Sequence, residues 1–392
     1  MKKLLILGGS ELQVPMIRKA KTLGYCVAVV DFNNEAAGRR FSDYFYNIST
    51  NDIQGVIEVV KEFQPNGITT IATDMPVRTI AGVNDYLGTQ EGLDSATAIR
   101  CTDKLKMIES LSSNNVSVPW FYLVDRTKKI EEDLEFPCIV KPVDSSGSRG
   151  VSTVNNIQEL SSAIEYALEF SKEEEVLVEE LLIGQEISVE VLVHKGKVNI
   201  LAYTEKTTTG SPYFVELMHI QPANLSSLVK NKVDKLVKDS LFVLGVNHGP
   251  AHVEMMLTEK GPKIIEVGAR LGGDFITTHL VELSTGIDIV GATIKQACGD
   301  DFSLESTMTK ASIVKFFHSE TYGKIKNIIV PSEALQIEGI KDICLFKNKG
   351  DYLGPINNST SRLGAVIGQA DNRKEALAIC DEAIKQIKVL TL

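Results

Sequence analysis

The stretch Ala-His-Val-Glu-Met-Met-Leu-Thr-Glu-Lys-Gly-Pro-Lys-Ile-Ile-Glu-Val-Gly-Ala-Arg, residues 251 to 270, sets two alternating apolar runs on either side of a Glu-Lys-Gly-Pro turn. Alternation flanking such a turn is a β-hairpin signal. A turn centred on Lys260 places Glu254 directly opposite Glu266 and sends Val253, Met255, Ile265 and Val267 to the other face as core. Arg270 lies an even number of residues from Glu266 and shares the carboxylate face. Like charges opposed across two strands destabilise the pair, and a cation between them resolves the conflict. Hard divalent ions take oxygen ligands, and Mg²⁺ commonly uses one or two carboxylates together with substrate phosphates. Two readings of this segment taken alone stand level: a nucleotide-linked metal site, and an exposed hairpin with two solvated glutamates.

The rest of the chain narrows the choice of class. Its 392 residues suit two to three domains and leave ample chain for a core. With 41 basic against 51 acidic residues and no Lys/Arg-dense run, the charge of −10 argues against a nucleic-acid partner. It leaves room for anionic substrates, which need only a local basic pocket. The six cysteines are scattered without a Cys-x-x-Cys pair. The chain opens Met-Lys-Lys directly into a strand, and it has no long apolar span. The expectation is a cytoplasmic protein with free thiols and no membrane partner.

Residues 3–7 read as a short buried strand ending in Gly8-Gly9-Ser10, followed by a helix to Leu23 and the strand Cys26 to Val30, closed by Asp31. That is the βαβ opening of a doubly wound parallel sheet. Helices near 52–63 and 76–87 and the strand Gly67 to Ala72 complete an α/β unit over 1–100. A helix from Cys101 to Asn115, with Thr102 as its cap, opens a central unit over 101–300. Its texture after Pro119 is mostly strands: 121–124, 138–141, 150–154, 176–179, 186–193 and 198–203. Helices at 157–170 and 226–244 interrupt them, and helical texture resumes near 276–298. A small α+β unit over 301–392 ends in a helix at 372–388. The fold class is therefore α/β and α+β.

Gly8-Gly9 with Asp31 imitates a dinucleotide fingerprint, but the third glycine of G-x-G-x-x-G is missing, which favours a simple tight βα turn over NAD binding. In Ile139-Val-Lys-Pro-Val-Asp-Ser-Ser-Gly-Ser-Arg-Gly-Val, residues 139 to 151, Lys141 leaves a strand end and a Ser/Gly loop returns into another strand. Small residues let backbone N–H groups close over phosphates, with Lys141 and Arg149 adding charge; a flexible hairpin loop is the plain alternative. In the run 178–190, a strand, a short break and an alternating strand can present backbone groups to a purine edge and a carboxylate to ribose. Surface acids on a strand-turn-strand are the commoner explanation. Lys104, His219 and His252 are uninformative singly.

Taken in order, Lys104, Lys141, the Ser/Gly loop, Glu179…Glu186, Glu254, Glu266 and Arg270 resemble the ATP-grasp superfamily over nearly the whole chain. The likeness is strongest to its carboxylate–amine ligases, including L-amino-acid ligases and purine-pathway members. The resemblance implies an N-terminal Rossmann-like domain, a central ATP-grasp domain with a lid subdomain about 118–185, and a small C-terminal domain. It implies ATP with Mg²⁺, or Mn²⁺ in its place. Lys104 and Lys141 would then contact the phosphates, and Ser145, Ser146, Gly147, Ser148 and Gly150 would close over them. Glu179, Glu180, Leu181 and Leu182 would form the adenine hinge, and Glu186 would meet the ribose. Glu254 and Glu266 would hold the metal, while Arg270, with Lys141, would serve the transferring phosphoryl. Glu216 and His219 would line the substrate site beside Arg270. The runs Arg270-Leu-Gly-Gly-Asp274 and Ser361-Arg-Leu-Gly364 also resemble the amino-acid ligase branch. One departure stands out: many members carry Asn two residues after the second glutamate, where this chain has Gly268.

The implied activity is ATP-dependent activation of a carboxylate as an acyl phosphate for attack by an amine, with small-molecule substrates. A purine-biosynthetic ligase is the alternative, and the few basic residues of the N-terminal unit weigh against it. An NAD-dependent oxidoreductase and a non-catalytic nucleotide-binding protein are more distant rivals. A homodimer is the default expectation for such a chain.

Overall fold

The computed structural model describes residues 1–89, 91–125, 134–144, 149–172 and 174–392. Its first unit is a parallel sheet of β1 (Lys3–Leu7), β2 (Cys26–Val30), β3 (Tyr44–Tyr46) and β4 (Gly67–Thr69), in the order β3-β2-β1-β4. The helix Val14–Thr22 packs Met16, Ile17 and Ala20 against it, and Pro near its first turn presets the start. On the other face, the helix Ile53–Phe63 buries Val56, Ile57, Val59, Val60 and Phe63. The parallel strands end together at one edge, where open α/β sheets place their ligands.

A second, antiparallel sheet joins β5 (Phe121–Asp125), β6 (Cys138–Pro142), β7 (Ser152–Val154) and β8 (Glu175–Glu180) in the order β5-β8-β6-β7. The helix Ile157–Leu168 covers its inner face with Leu160, Ala163, Ile164 and Ala167. Asn156 caps that helix by accepting from Gln158 and Glu159 N–H groups.

The central sheet has eight strands. It runs through β9 (Gln185–His194), β10 (Lys197–Thr208), β11 (Glu216–Gln221), β12 (Gly249–Thr258), β13 (Gly261–Gly268) and β14 (Ala311–Phe317). The chain continues through β15 (Gly323–Ile329), β16 (Ile340–Leu345), β17 (Tyr352–Leu353), β18 (Gly364–Ala370) and β19 (Lys388–Thr391). The large sheet is ordered β13-β12-β9-β10-β11-β14-β18-β16, so it passes without a break from the hairpin into the C-terminal unit, while β17-β15-β19 form a small separate sheet. Helix Ser227–Leu244 packs Val233, Leu236, Val237, Leu241 and Leu244 on the core of the β9–β12–β13 end.

Several expected boundaries shift. The helix expected from Cys101 begins at Lys104, with Asp103 rather than Thr102 as its cap: Asp103 accepts from Lys106 N–H, while Thr102 is engaged with Ala98 O and Arg78 Nε. The helical region 276–298 is divided at Gly286, whose φ of +77° ends one helix before Ile289–Ala297 begins. The strands 216–221, 323–329 and 340–345 were not foreseen, because their alternation is short or masked by charge. All six cysteines are free. No helix among the described residues is long and apolar enough to cross a membrane.

Candidate active site

The hairpin of β12 and β13 closes on the two-residue turn Glu259-Lys260, with Thr258 paired to Gly261. Near the turn, Met255 pairs with Ile264; one step on, Glu254 pairs with Glu266. The extra residue is Ile265, a bulge in β13. The expected opposition of the two glutamates therefore holds, and so does the core of Val253, Met255 and Val267, but not the place of Ile265 in it. Ile264 is the buried residue, and Ile265 turns into the cleft. A bulge shifts alternation by one residue, so parity counted from the turn fails on its near side.

Because β12, β9, β10 and β11 follow one another in the sheet, the carboxylate row continues sideways through Ser188, Thr204 and Gln221. One step along, Glu186, Lys206 and His219 form a parallel row. Lys206 is almost fully buried, with Nζ 2.7 Å from Glu186, 2.8 Å from Glu254 and 3.9 Å from Glu216. Burial opposes its charge, but the three carboxylates hold its pKa well above the ordinary lysine value. His252 bridges Glu190 and Glu254, with Nδ1 2.8 Å from Glu190 Oε1 and Nε2 3.0 Å from Glu254 Oε1. Burial works against the imidazolium, yet Glu190 and then Glu254 raise its pKa to about 9. Burial likewise opposes ionisation of Glu254, and Lys206 and His252 overcome it, keeping the carboxyl well below its usual range.

Other elements bring their side chains to the same cleft, a cavity of about 750 Å³. Lys104, at the start of its helix, has Nζ 3.1 Å from Glu266. Lys141 on β6 lies 2.7 Å from Glu179 on the adjacent β8. Glu180 also lines the cleft, pairing with Lys263 at 2.5 Å and accepting from Trp120 N–H at 3.3 Å. Leu181 and Leu182 line the cleft in the passage from β8 to β9. Glu216 accepts from Ser359 Oγ at 3.1 Å. Arg149 lines the cleft, and Gly150 has φ +76° with a would-be Cβ 2.9 Å from Pro142, a place only glycine fills without strain. Ser145, Ser146, Gly147 and Ser148 lie outside the described residues.

Arg270 meets a partner from the first unit. Ile71 and Leu271 form a parallel bridge beside β4, and Ala72 N–H donates to Leu271 O at 3.1 Å. This contact sets Arg270 Nε 2.8 Å from Asp74 Oδ1 and Nη2 3.3 Å from Oδ2. Gly268 packs beside this pair. A Cβ at that position would stand 3.2 Å from Arg270 Cζ and 3.3 Å from Asp74 Oδ1, so an asparagine there would press on the ion pair. Nearby, Asp274 at φ +48° receives two bonds from Arg362 of the C-terminal unit, at 2.7 and 3.0 Å. His219 Nε2 is 3.6 Å from the same carboxylate, while its buried Nδ1 has no hydrogen-bond partner among the described residues.

Reasoning on spacing missed Asp74, Lys206 and Glu190 and treated His252 as uninformative. A faint signal existed for Lys206, since strand alternation continued through 208 puts it on the parity of buried Ala202 and Thr204. None existed for Asp74, which looks like any residue before a Met-Pro helix start. The dinucleotide imitation resolves as a tight turn. Asp31 accepts from Gly9 N–H at 2.7 Å and from Asn33 N–H at 2.8 Å, and Gly8 has φ +100°.

The donor set suits a hard cation. Two opposed carboxylates supply oxygens, and the remaining positions are of the kind Mg²⁺ fills with water and phosphate. Among the described residues no third His, Cys, Asp or Glu completes an all-protein cage.

Comparison with known proteins bears on the domains and the fold. Residues 134–279 match the model of the ATP-grasp domain, and residues 315–391 match L-amino acid ligase C-terminal domain 2. The fold superposes on an L-amino acid ligase from Bacillus licheniformis with a TM-score of 0.87, covering 100% of this chain and 99% of that one at 24% identity. A phosphoribosylglycinamide synthetase from Anaerococcus prevotii gives a TM-score of 0.81, also at 24% identity, with 100% of both chains covered. An uncharacterized protein of Sinorhizobium fredii is 27% identical over 303 residues, which are 76% of this chain but 62% of that relative's length. A formate-dependent phosphoribosylglycinamide formyltransferase of Wolinella succinogenes is 22% identical over 98% of this chain and 96% of its own. The chain thus carries an ATP-grasp domain followed by an L-amino acid ligase C-terminal domain.

Proposed function

We propose that this protein uses ATP to join an amino-acid-type carboxylic acid to an amine. The observation that carries the reading is the convergence of Glu254, Glu266, Lys104, Lys141 and Arg270 on one cleft, drawn from the β12–β13 hairpin and its exit, the helix that begins at Lys104, and β6 of the second sheet. The substrate carboxylate oxygen attacks the γ-phosphorus and ADP leaves. The amine nitrogen then attacks the acyl carbon, inorganic phosphate leaves, and the amine proton passes to solvent.

Lys104 and Lys141 supply positive charge to the phosphates, and Arg270 offers a planar fork to the transferring phosphoryl group. Glu254 and Glu266 would hold Mg²⁺, whose charge neutralises the phosphates when it is bound. Glu186 and the 179–182 segment would meet the nucleoside, and Glu216 and His219 the acid. Holding acid and phosphate together supplies the proximity term. Arg362, from the matched L-amino acid ligase C-terminal domain, binds Asp274, which lines the cleft beside His219. That supports the amino-acid reading over the purine one.

The test is release of ADP and phosphate that depends on both an acid and an amine in the presence of Mg²⁺. Glu266→Gln is expected to lower turnover by about 100-fold or more, the scale of losing a dedicated charge-stabilising group. Turnover at the wild-type rate in that variant removes the metal assignment.

A further inference from the structure

The two glutamates of the hairpin are held differently. Lys104 Nζ stands 3.1 Å from both oxygens of Glu266. Glu254 instead has two partners on a single oxygen: Lys206 Nζ lies 2.8 Å and His252 Nε2 3.0 Å from Oε1. Among the described residues no hydrogen bond falls on Glu254 Oε2.

The ring that supplies one of these partners is itself fixed from behind. Glu190, fully buried on β9, places Oε1 and Oε2 at 2.8 and 3.0 Å from His252 Nδ1. Ser188 Oγ donates to Glu190 Oε1 at 3.0 Å. A carboxylate on one ring nitrogen sets the orientation in which the other nitrogen is presented. Gly272 closes the back of the pair. A Cβ there would stand 2.6 Å from His252 Nδ1 and 3.0 Å from Glu190 Oε2, so no larger residue fits without moving the ring.

Resting on the assignment of Glu254 and Glu266 to Mg²⁺ in the proposed function, we infer that Glu190 and His252 are positioning residues that restrict Glu254 to one-oxygen ligation through Oε2, and so select Mg²⁺ against Ca²⁺. Ca²⁺ gathers roughly six to eight oxygens and often takes both oxygens of a carboxylate, whereas Mg²⁺ is content with one from each of a few side chains. A carboxylate whose Oε1 is occupied from two sides has only Oε2 to give. With the imidazole withdrawn, the group can turn about its Lys206 contact and present both oxygens.

The measurement is displacement of Mn²⁺, bound to the protein with ADP and followed by its electron paramagnetic resonance spectrum, by Mg²⁺ or by Ca²⁺. The two midpoints give the Mg²⁺-to-Ca²⁺ preference, to which ADP itself contributes equally in every variant. In His252→Asn the side-chain amide can still meet Glu190 but is too short to reach Glu254. In His252→Gln the amide can take the place of Nε2. Gly272→Ala displaces the ring and leaves both charges in the chain. The preference is expected to fall about tenfold in His252→Asn and Gly272→Ala, the scale of losing an outer-shell partner, and to be retained in His252→Gln. An unchanged preference in His252→Asn and Gly272→Ala, or an equal loss in His252→Asn and His252→Gln, overturns the inference and leaves the metal assignment standing. A wild type that gives no protein-bound Mn²⁺ spectrum overturns the metal assignment and the inference with it.

Discussion

Arg270 and Asp74, 196 residues apart in sequence, form a two-point ion pair at 2.8 and 3.3 Å that joins the hairpin's exit to the first unit. Burial disfavours both charges, and their mutual attraction overcomes it, lowering the Asp74 pKa and raising that of Arg270. Asp74 thus acts as a positioning residue for the guanidinium. Asp74→Asn and Gly268→Asn should each lower kcat by roughly 10-fold, the first by releasing Arg270 and the second by crowding it. Arg270→Lys should not restore activity, because an ammonium lacks the planar fork. Steady-state kinetics of the three variants checks this, and full kcat in Gly268→Asn would show that the pair tolerates the added side chain.

Lys206 neutralises Glu186, Glu254 and Glu216 from within the sheet. Lys206→Met leaves those carboxylates facing one another, and losing one partner of a buried charge cluster costs about 3–5 kcal/mol. A divalent cation can replace the lost charge. Addition of Mg²⁺ should therefore raise the melting temperature of Lys206→Met more than that of wild type, as read by thermal unfolding with and without the ion. Equal shifts in the two proteins would separate Lys206 from the carboxylate site.

His252 makes stability depend on pH in the metal-free protein. Its pKa is raised to about 9, above the value near 6.5 of an unfolded histidine. The folded state therefore holds the proton more tightly. That contribution is complete below about pH 6.5 and is lost as pH rises through about 9. The melting temperature should fall by about a few degrees across this window. His252→Gln should flatten the fall, and the difference between the two curves isolates the imidazole. Parallel curves would place the charge elsewhere.

Arg362 anchors the C-terminal unit to the cleft through Asp274, and its guanidinium stacks 3.8 Å over the Phe316 ring. Arg362→Ala should destabilise by about 2–3 kcal/mol, less than a fully enclosed pair because Asp274 keeps some contact with solvent. A double-mutant cycle with Asp274→Asn in urea should show a coupling of about 1 kcal/mol or more. Additive losses would mean that the stacking on Phe316 carries the effect.

Much of this protein is written in local pattern. Period-two alternation about a turn places Glu254 and Glu266 on facing strands, a pairing the structure reaches through a two-residue turn and a compensating bulge, and the βαβ opening through Val30 follows from apolar runs punctuated by glycine. These features depend on neighbours a few residues away, so spacing reports them. The bulge at Ile265 already escapes that logic, because only the pairing of both strands at once reveals one residue too many. The partners that complete the site lie further from reach. Lys206 meets Glu254 because β9 and β10 lie beside β12, and Asp74 meets Arg270 because the chain after β13 runs alongside β4. Strand order across a sheet is set by burial of whole faces, not by the residues that happen to meet there. Local pattern placed Glu254 and Glu266 on facing strands of one hairpin; only the tertiary structure decided which cations meet them, Lys206 and His252 at Glu254 and Lys104 at Glu266, because strand order brings together residues far apart in the chain.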